Sequence, residues 1–212
     1  MLRFMFAVLI TAMMPGCSDP GSQTGSEQNV DVVIETSLGE IRLALNAAAA
    51  PVTVANFVDL ADAGAFDGTS FYRTVRADND RPNARIDVIQ GGAGFDGLPG
   101  AEPIGHESTA QTGLSHVRGA ISMARDEPGT ATSEFFIVIT DSTILDAGPD
   151  GRNPDSQGYA VFGQVISGMD IAEAIWRAPT GLDSAPDGYS AQWLSVPVRI
   201  DRIRTEERAS SY

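Results

Sequence analysis

The feature that most limits the fold of this chain is a series of short β-type segments with few helical patterns between them. An apolar run at 32–34, a Ser37-Leu38-Gly39 turn and the alternation over 40–45 predict an opening hairpin with one buried face. Further β-type segments cover 71–75, 86–90, 119–123, 134–140, 161–165 and 198–203. Because strands and helices do not alternate regularly, the pattern predicts a mainly β fold, a closed barrel of eight antiparallel strands.

Two helical patterns interrupt the β-type segments. Pro51 can begin a helix, apolar side chains recur at helical spacing after it, and Gly64 suits its end, which gives a helix of about 13 residues. The second pattern runs over 169–175 and places Ile171, Ile175 and Trp176 on one side. We therefore expect two α-helices that cap the barrel.

The N-terminus reads as an export signal. Arg3 precedes an apolar run over 4–14, which is shorter than the roughly 18 to 20 residues that cross a bilayer. Pro15-Gly16-Cys17 follows, and this segment resembles a bacterial lipobox, in which the cysteine carries the lipid. The alternative is an ordinary signal peptide with a cysteine near the cleavage site.

These features divide the chain into a signal peptide (1–16), a lipidated Cys17 with a flexible polar tether (17–29), and one domain (30–212). The expected location is the periplasmic side of the cell envelope, with a lipid anchor in a membrane. Cys17 is the only cysteine, which excludes internal disulfides and cysteine-based metal clusters.

The charge of the chain argues against nucleic acid as a partner. The chain has 14 arginines, no lysine and 28 acidic residues, for a formal net charge of −14. Such a surface repels phosphate backbones. The acidity is a solubility trait and gives no indication of a substrate.

Three segments resemble ligand-binding motifs but lack the neighbouring residues that those motifs require. The GxGxxG spelling at 92–97 is followed by Pro99-Gly100, so no helix can begin there to bind a pyrophosphate. His106 and His116 are the only histidines and lack ligand spacing, so we expect them to cap loops. The acidic stretch at 146–158 lacks the order of a calcium loop. We predict no metal and no cofactor.

Several motifs together resemble the active-site strands of the cyclophilin family. They are SFYRTV at Ser70–Val75, VIQGG at Val88–Gly92, SMA at 122–124 and TSEFFI at 132–137. The opening hairpin, the helix segment at 50–57 and YAVFG at 159–163 fit the same family. The resemblance extends over nearly all of residues 32–203.

This resemblance implies a peptidyl-prolyl cis–trans isomerase that acts on proline-containing unfolded or flexible polypeptides and assists the folding of exported proteins as a monomer. It assigns catalysis to Arg73 and Gln90. It assigns substrate binding to Tyr72, Val88, Ala124, Phe136, Ile144, Leu145 and Tyr159. No nucleophile or acid–base pair is required.

The sequence departs from the family pattern beside these positions. Residues 76–87 replace a short Ile-Pro-Gly-Phe turn, so Asp87 or Ile86 stands where the family has a pocket phenylalanine. We expect a shallower and more polar proline pocket, or one completed by another residue. Tyr72 replaces a common histidine and Glu134 a common glutamine. A non-catalytic proline-peptide-binding module or chaperone on the same scaffold is the alternative, and a purely structural lipoprotein is a weaker one.

Overall fold

The computed structural model describes residues 29–80 and 82–206, which form one closed antiparallel barrel. The strands follow one another around the barrel in the order β1-β2-β7-β5-β6-β4-β3-β8, and β8 pairs with β1 to close it. Their bounds are β1 Asn29–Thr36, β2 Gly39–Asn46, β3 Ser70–Val75, β4 Val88–Gly92, β5 Ala120–Met123, β6 Phe135–Val138, β7 Ala160–Ser167 and β8 Trp193–Glu206. The predicted eight-stranded barrel is confirmed.

The opening hairpin has the register that its apolar pattern requires. Ile34 lies opposite Ile41 on β2 and opposite Ile203 on β8, and all three side chains are buried. Because side chains alternate between the faces of a strand, this register places one apolar face of the hairpin inside the barrel. The Thr36 hydroxyl donates to the Gly39 carbonyl at 2.7 Å and supports the turn.

Three α-helices accompany the barrel in the described part of the chain, one more than we predicted. The two expected helices are α1, Pro51–Asp62, and α3, Met169–Trp176. Between them lies α2, Thr109–Thr112, which is too short to produce a periodic apolar pattern. Its ends have local causes: the Gln111 side chain accepts from the Ser108 N–H at 2.9 Å, and Gly113 ends the helix at φ 71°.

The core has two parts. Five fully buried phenylalanines pack together inside the barrel, and they are Phe57, Phe66, Phe71, Phe135 and Phe162. A smaller apolar cluster lies on the outer side of the sheet beneath the predicted site, and it contains Val75, Ile86, Val88, Ala120, Phe136, Val138, Leu145 and Val161. The smaller cluster gives the site a rigid apolar floor.

The predictions for the N-terminus fall on residues 1–28, which lie outside the described residues. They include the signal peptide, Cys17 and almost all of the tether. Within the described part of the chain, no helix is long and apolar enough to cross a membrane.

Candidate active site

The candidate site is a row of side chains across neighbouring strands. Arg73 on β3 lies opposite Gln90 on β4, and Gln90 lies opposite Phe136 on β6. On its other side Arg73 pairs with Trp193 at the start of β8. Residues directly opposite each other project from the same face of a sheet. The strand register alone therefore brings the predicted arginine, amide and pocket residue together.

Two glutamines hold the Arg73 guanidinium. Its Nη1 donates to Gln90 Oε1 at 2.6 Å, while Nε and Nη2 donate to Gln192 Oε1 at 2.9 and 2.6 Å. The guanidinium carbon lies 5.1 Å from the centre of the Tyr189 ring, which adds a cation–π contact. An arginine has five N–H donors, so three of them are occupied and one remains on each terminal nitrogen.

The charge of Arg73 has no carboxylate partner within ion-pair distance among the described residues. Burial lowers the pKa of the guanidinium, because a low-dielectric environment disfavours charge, yet an arginine side chain keeps its proton in proteins. The positive charge is therefore held by neutral amides and an aromatic ring. It remains available to a substrate.

A second line of hydrogen bonds leads from Gln90 away from Arg73. Gln90 Nε2 donates to the Tyr72 hydroxyl at 2.7 Å, and that hydroxyl donates to Glu134 Oε2 at 2.7 Å. The other carboxylate oxygen of Glu134 accepts from the Ala93 N–H at 2.8 Å. Tyr72 is only 3% exposed, so it lies behind Gln90.

The carboxylate of Glu134 is buried in this network. Burial raises its pKa to about 6, although hydrogen bonds from Tyr72, the Ala93 and Gly94 backbone and Ser133 act in the opposite direction. Burial, together with the negative charge of Glu134, raises the pKa of the Tyr72 hydroxyl far above its ordinary value. Tyr72 therefore keeps its proton and is the donor in their hydrogen bond.

The apolar pocket lies next to Gln90 in a cleft of ≈ 420 Å³. Its walls are Val88, Phe136, Leu145 and Ile86. Ile86 lines the cleft, whereas the Asp87 carboxylate accepts from the Thr140 hydroxyl at 2.6 Å. Of the two residues considered from the sequence, the apolar one therefore lines the cleft.

The altered segment at 76–87 is anchored at several points. Asp80 forms a two-pronged ion pair with Arg152, at 2.6 and 2.8 Å, and also accepts from the Ile86 N–H at 3.0 Å. Arg76 donates to the carbonyls of Trp176 and Ala178 at 2.9 Å. These bonds place Ile86 against the pocket.

His116 lies in a loop, and its side chain is fully buried under the pocket. Its Nδ1 lies 2.6 Å from Asp146 Oδ1 and its Nε2 lies 3.0 Å from the Ser122 hydroxyl, and its ring stacks on Phe136 at 5.8 Å between centres. Burial lowers the pKa of His116, which keeps the ring neutral. Ser122 is fully buried, so this Ser–His–Asp line has no access to substrate and supports the pocket wall.

The rim of the cleft carries aromatic and charged groups. Tyr159 meets Phe136 edge-on at 5.4 Å, and Arg125 lies over the Tyr159 ring at 5.3 Å while it pairs with Asp155 at 2.7 Å. On the opposite side, Phe95 packs edge-on against Tyr189 and Trp193. His106 contacts the Gln157 carbonyl at 3.1 Å.

The structure brings seven of the nine predicted site residues to one cleft. They are Arg73, Val88, Gln90, Ala124, Phe136, Leu145 and Tyr159. Tyr72 and Ile144 do not line it: Tyr72 is hydrogen-bonded behind Gln90, and Ile144 packs against the smaller apolar cluster. Reasoning from the sequence missed Gln192 and Tyr189, because they lie outside the motifs that carry the resemblance.

Comparison with known proteins agrees with this geometry. The family described as "Cyclophilin type peptidyl-prolyl cis-trans isomerase/CLD" matches residues 31–205. The chain is 37% identical over 179 residues to peptidyl-prolyl cis-trans isomerase A of Dickeya dadantii, covering 84% of this chain and 86% of that protein. It is 38% identical over 183 residues to a peptidyl-prolyl cis-trans isomerase of Acinetobacter baylyi, covering 84% and 88%.

Solved structures show the same fold. A cyclophilin-type isomerase of Cryptosporidium parvum aligns with a TM-score of 0.65 and 21% identity, covering 85% of this chain and 99% of that one. A structure of the same protein in the presence of the dipeptide Ala-Pro aligns with a TM-score of 0.64 and 23% identity, covering 84% and 99%. The chain belongs to the cyclophilin-type peptidyl-prolyl cis–trans isomerases, a family of enzymes.

Proposed function

We propose that this isomerase catalyses rotation about X–Pro bonds in flexible segments of exported proteins. The bond lies over Arg73, and the proline ring occupies the adjoining apolar pocket. The observation that supports this most strongly is the state of Arg73: two amides fix its orientation, and each terminal nitrogen keeps an N–H beyond those three bonds. The pocket of Val88, Phe136, Leu145 and Ile86 lies in the same cleft.

The chemistry requires a donor that prefers the twisted bond. Rotation about a peptide bond has a barrier of about 18–20 kcal/mol because the nitrogen lone pair is conjugated with the carbonyl. When the bond twists, the prolyl nitrogen becomes pyramidal and its lone pair can accept a hydrogen bond. Arg73 therefore binds the transition state more strongly than the planar ground state.

The other residues hold the peptide for this step. Gln90 fixes Arg73 and carries the second hydrogen-bonding side chain of the row. The proline ring fills the pocket, and the substrate backbone runs beside Ala124, in the same cleft. The structure of a cyclophilin-type isomerase of the same fold in the presence of the dipeptide Ala-Pro supports a proline-containing peptide as the ligand. We propose that the enzyme acts as a monomer.

A rate measurement separates this function from that of a non-catalytic binding module. Exchange between the cis and trans forms of a short blocked Ala-Pro peptide is followed by NMR, without a coupled protease. We expect the exchange rate to rise in proportion to the concentration of the purified protein. Saturable peptide shifts with an unchanged exchange rate would identify a binding module instead.

We further propose that the enzyme works at the periplasmic side of the envelope, anchored through a lipid on Cys17. The support is the short apolar run at 4–14 followed by Pro15-Gly16-Cys17. Expression of the full chain in a Gram-negative host with an alkyne-tagged fatty acid should label the protein and place it in the membrane fraction. Cys17→Ser should abolish the label. A labelled Cys17→Ser protein, or an unlabelled wild type, contradicts the anchor.

A further inference from the structure

The hydrogen bonds from Arg73 to Glu134 form one chain with a defined direction. A guanidinium has no acceptor, so the Gln90 oxygen must face Arg73. The Gln90 NH₂ group then faces the Tyr72 oxygen, and the Tyr72 hydroxyl has its proton free for Glu134. An ionised carboxylate only accepts hydrogen bonds. Glu134 therefore requires the same donor-to-acceptor direction along this chain of hydrogen bonds as Arg73 does.

The Glu134 side chain packs closely against Gly92, and both of its carboxylate oxygens accept hydrogen bonds. Its side chain occupies the volume that a Cβ atom on Gly92 would need, so a glycine is required at that position. One oxygen accepts from the Ala93 N–H and the other from Tyr72. Both oxygens are therefore required to accept.

A neutral amide in place of the Glu134 carboxylate would not impose the same direction of hydrogen bonding that Arg73 imposes at the other end. If its oxygen stayed on Ala93, its NH₂ group would donate to Tyr72. The Tyr72 hydroxyl would then donate to Gln90 and turn the Gln90 amide around, which would place an NH₂ group against the N–H groups of Arg73. If the amide were reversed, two donors would meet at Ala93. Either arrangement leaves a buried group without its partner, which is costly.

We infer that the Glu134 carboxylate is a positioning group for isomerisation, which acts through Tyr72 to hold the Gln90 oxygen on Arg73. This inference rests on the proposed role of Arg73. In this role Glu134 makes no bond to the prolyl nitrogen; it determines how firmly the guanidinium is oriented. A protonated Glu134 has an O–H donor of its own, so the direction of the hydrogen bonds through Tyr72 and Gln90 is no longer fixed.

The ionisation of Glu134 should therefore control the rate in a mildly acidic range. Burial raises its pKa to about 6. The groups that face it are Tyr72 from β3, the Ala93 and Gly94 N–H groups from the loop after β4, and the adjacent Ser133. The other charged or titratable side chains that line or underlie the cleft in the described residues include Arg73, Arg125, Asp126, Arg152, Tyr159, Tyr189, His116 and its partner Asp146.

The first test is the pH profile of kcat/KM for a blocked Ala-Pro peptide without ionisable groups. Between about pH 8 and pH 5, the wild type should lose on the order of 10-fold in rate, with a midpoint near the pKa of Glu134. Glu134→Gln should be lower by a similar factor at pH 8 and flat across the range. Glu102→Gln, an exposed acid outside the lining of the cleft, should retain the wild-type profile.

The variant also separates Glu134 from His116, the buried imidazole beneath the pocket. His116 remains in Glu134→Gln, so a titration caused by His116 would persist there. The combined variant Tyr72→His with Glu134→Gln should recover activity relative to Glu134→Gln alone, because a neutral imidazole has one donor and one acceptor and fits either direction. A persistent titration or a missing recovery would overturn the inference.

A second readout does not depend on turnover. The NMR shifts of the Gln90 side-chain NH₂ and the Arg73 Nε–H should follow the ionisation of Glu134, and Tyr72→Phe should abolish that dependence. Constant shifts in the wild type would refute the relay even in an active enzyme. A protein that shows the linked shifts but no exchange activity would refute the proposed function and leave the relay standing.

Discussion

At the scale of single residues, the site contains a buried acid whose ionisation opposes folding. The pKa of Glu134 is raised from an ordinary value of 4.5 to about 6 in the folded protein, chiefly by burial. The folded state therefore binds this proton more tightly than the unfolded state. The cost to the free energy of unfolding is absent below pH 4.5, appears as the pH rises, and is complete above pH 6.

This linkage predicts a pH-dependent difference between the wild type and Glu134→Gln, which cannot ionise at this position. A shift of this size corresponds to about 2 kcal/mol. The free energy of unfolding of the wild type, minus that of the variant, should fall by about 2 kcal/mol between pH 4.5 and pH 7. Urea unfolding at a series of pH values measures it, and the subtraction removes the titration of the other acids. A constant difference contradicts a buried, raised carboxyl.

At the scale of elements, the segment at 76–87 rebuilds one wall of the proline pocket. The Asp80–Arg152 ion pair is almost inaccessible to solvent, with side-chain exposures of 0% and 8%. It holds the segment so that Ile86 enters the apolar cluster with Val88 and Phe136. An aliphatic side chain on an anchored segment thus replaces an aromatic one on a short turn.

The pocket role of Ile86 predicts a change in binding and not in the chemical step. Ile86→Ala removes an apolar wall next to the proline ring, so KM for the Ala-Pro peptide should rise on the order of 10-fold while kcat changes little. Ile86→Val should show a smaller rise. Asp87→Ala is the matched control, because the Asp87 carboxylate contacts Thr140. A fall in kcat with constant KM would assign Ile86 a different role.

At the scale of the whole molecule, closure of the barrel and the orientation of Arg73 depend on the same strand. β8 pairs with β1, the first strand of the described chain, and with β3, which carries Arg73. Gln192, which holds two of the three occupied donors of Arg73, directly precedes β8. The last strand of the described chain therefore has to pair with β3 for the arginine to be fully oriented.

The sequence predicted the barrel and most of the cleft because strand periodicity and short motifs are local signals. The row of Arg73, Gln90 and Phe136 follows from strand motifs alone once the register is known. Helix α2 escaped prediction because four residues carry no period. Gln192 and the supporting role of His116 escaped because their contacts, with Arg73 and Asp146, join parts of the chain far apart in sequence.

The central claim is that an oriented guanidinium, and not merely a positive charge, lowers the barrier to rotation. Arg73→Lys keeps the charge but loses the planar fork that Gln90 and Gln192 hold. The decisive measurement is the cis–trans exchange rate at saturating Ala-Pro peptide for this variant, with Arg202→Lys, an exposed arginine on β8, as control. We predict a fall in kcat on the order of 100-fold with peptide affinity nearly unchanged. An undiminished kcat in Arg73→Lys would contradict this account.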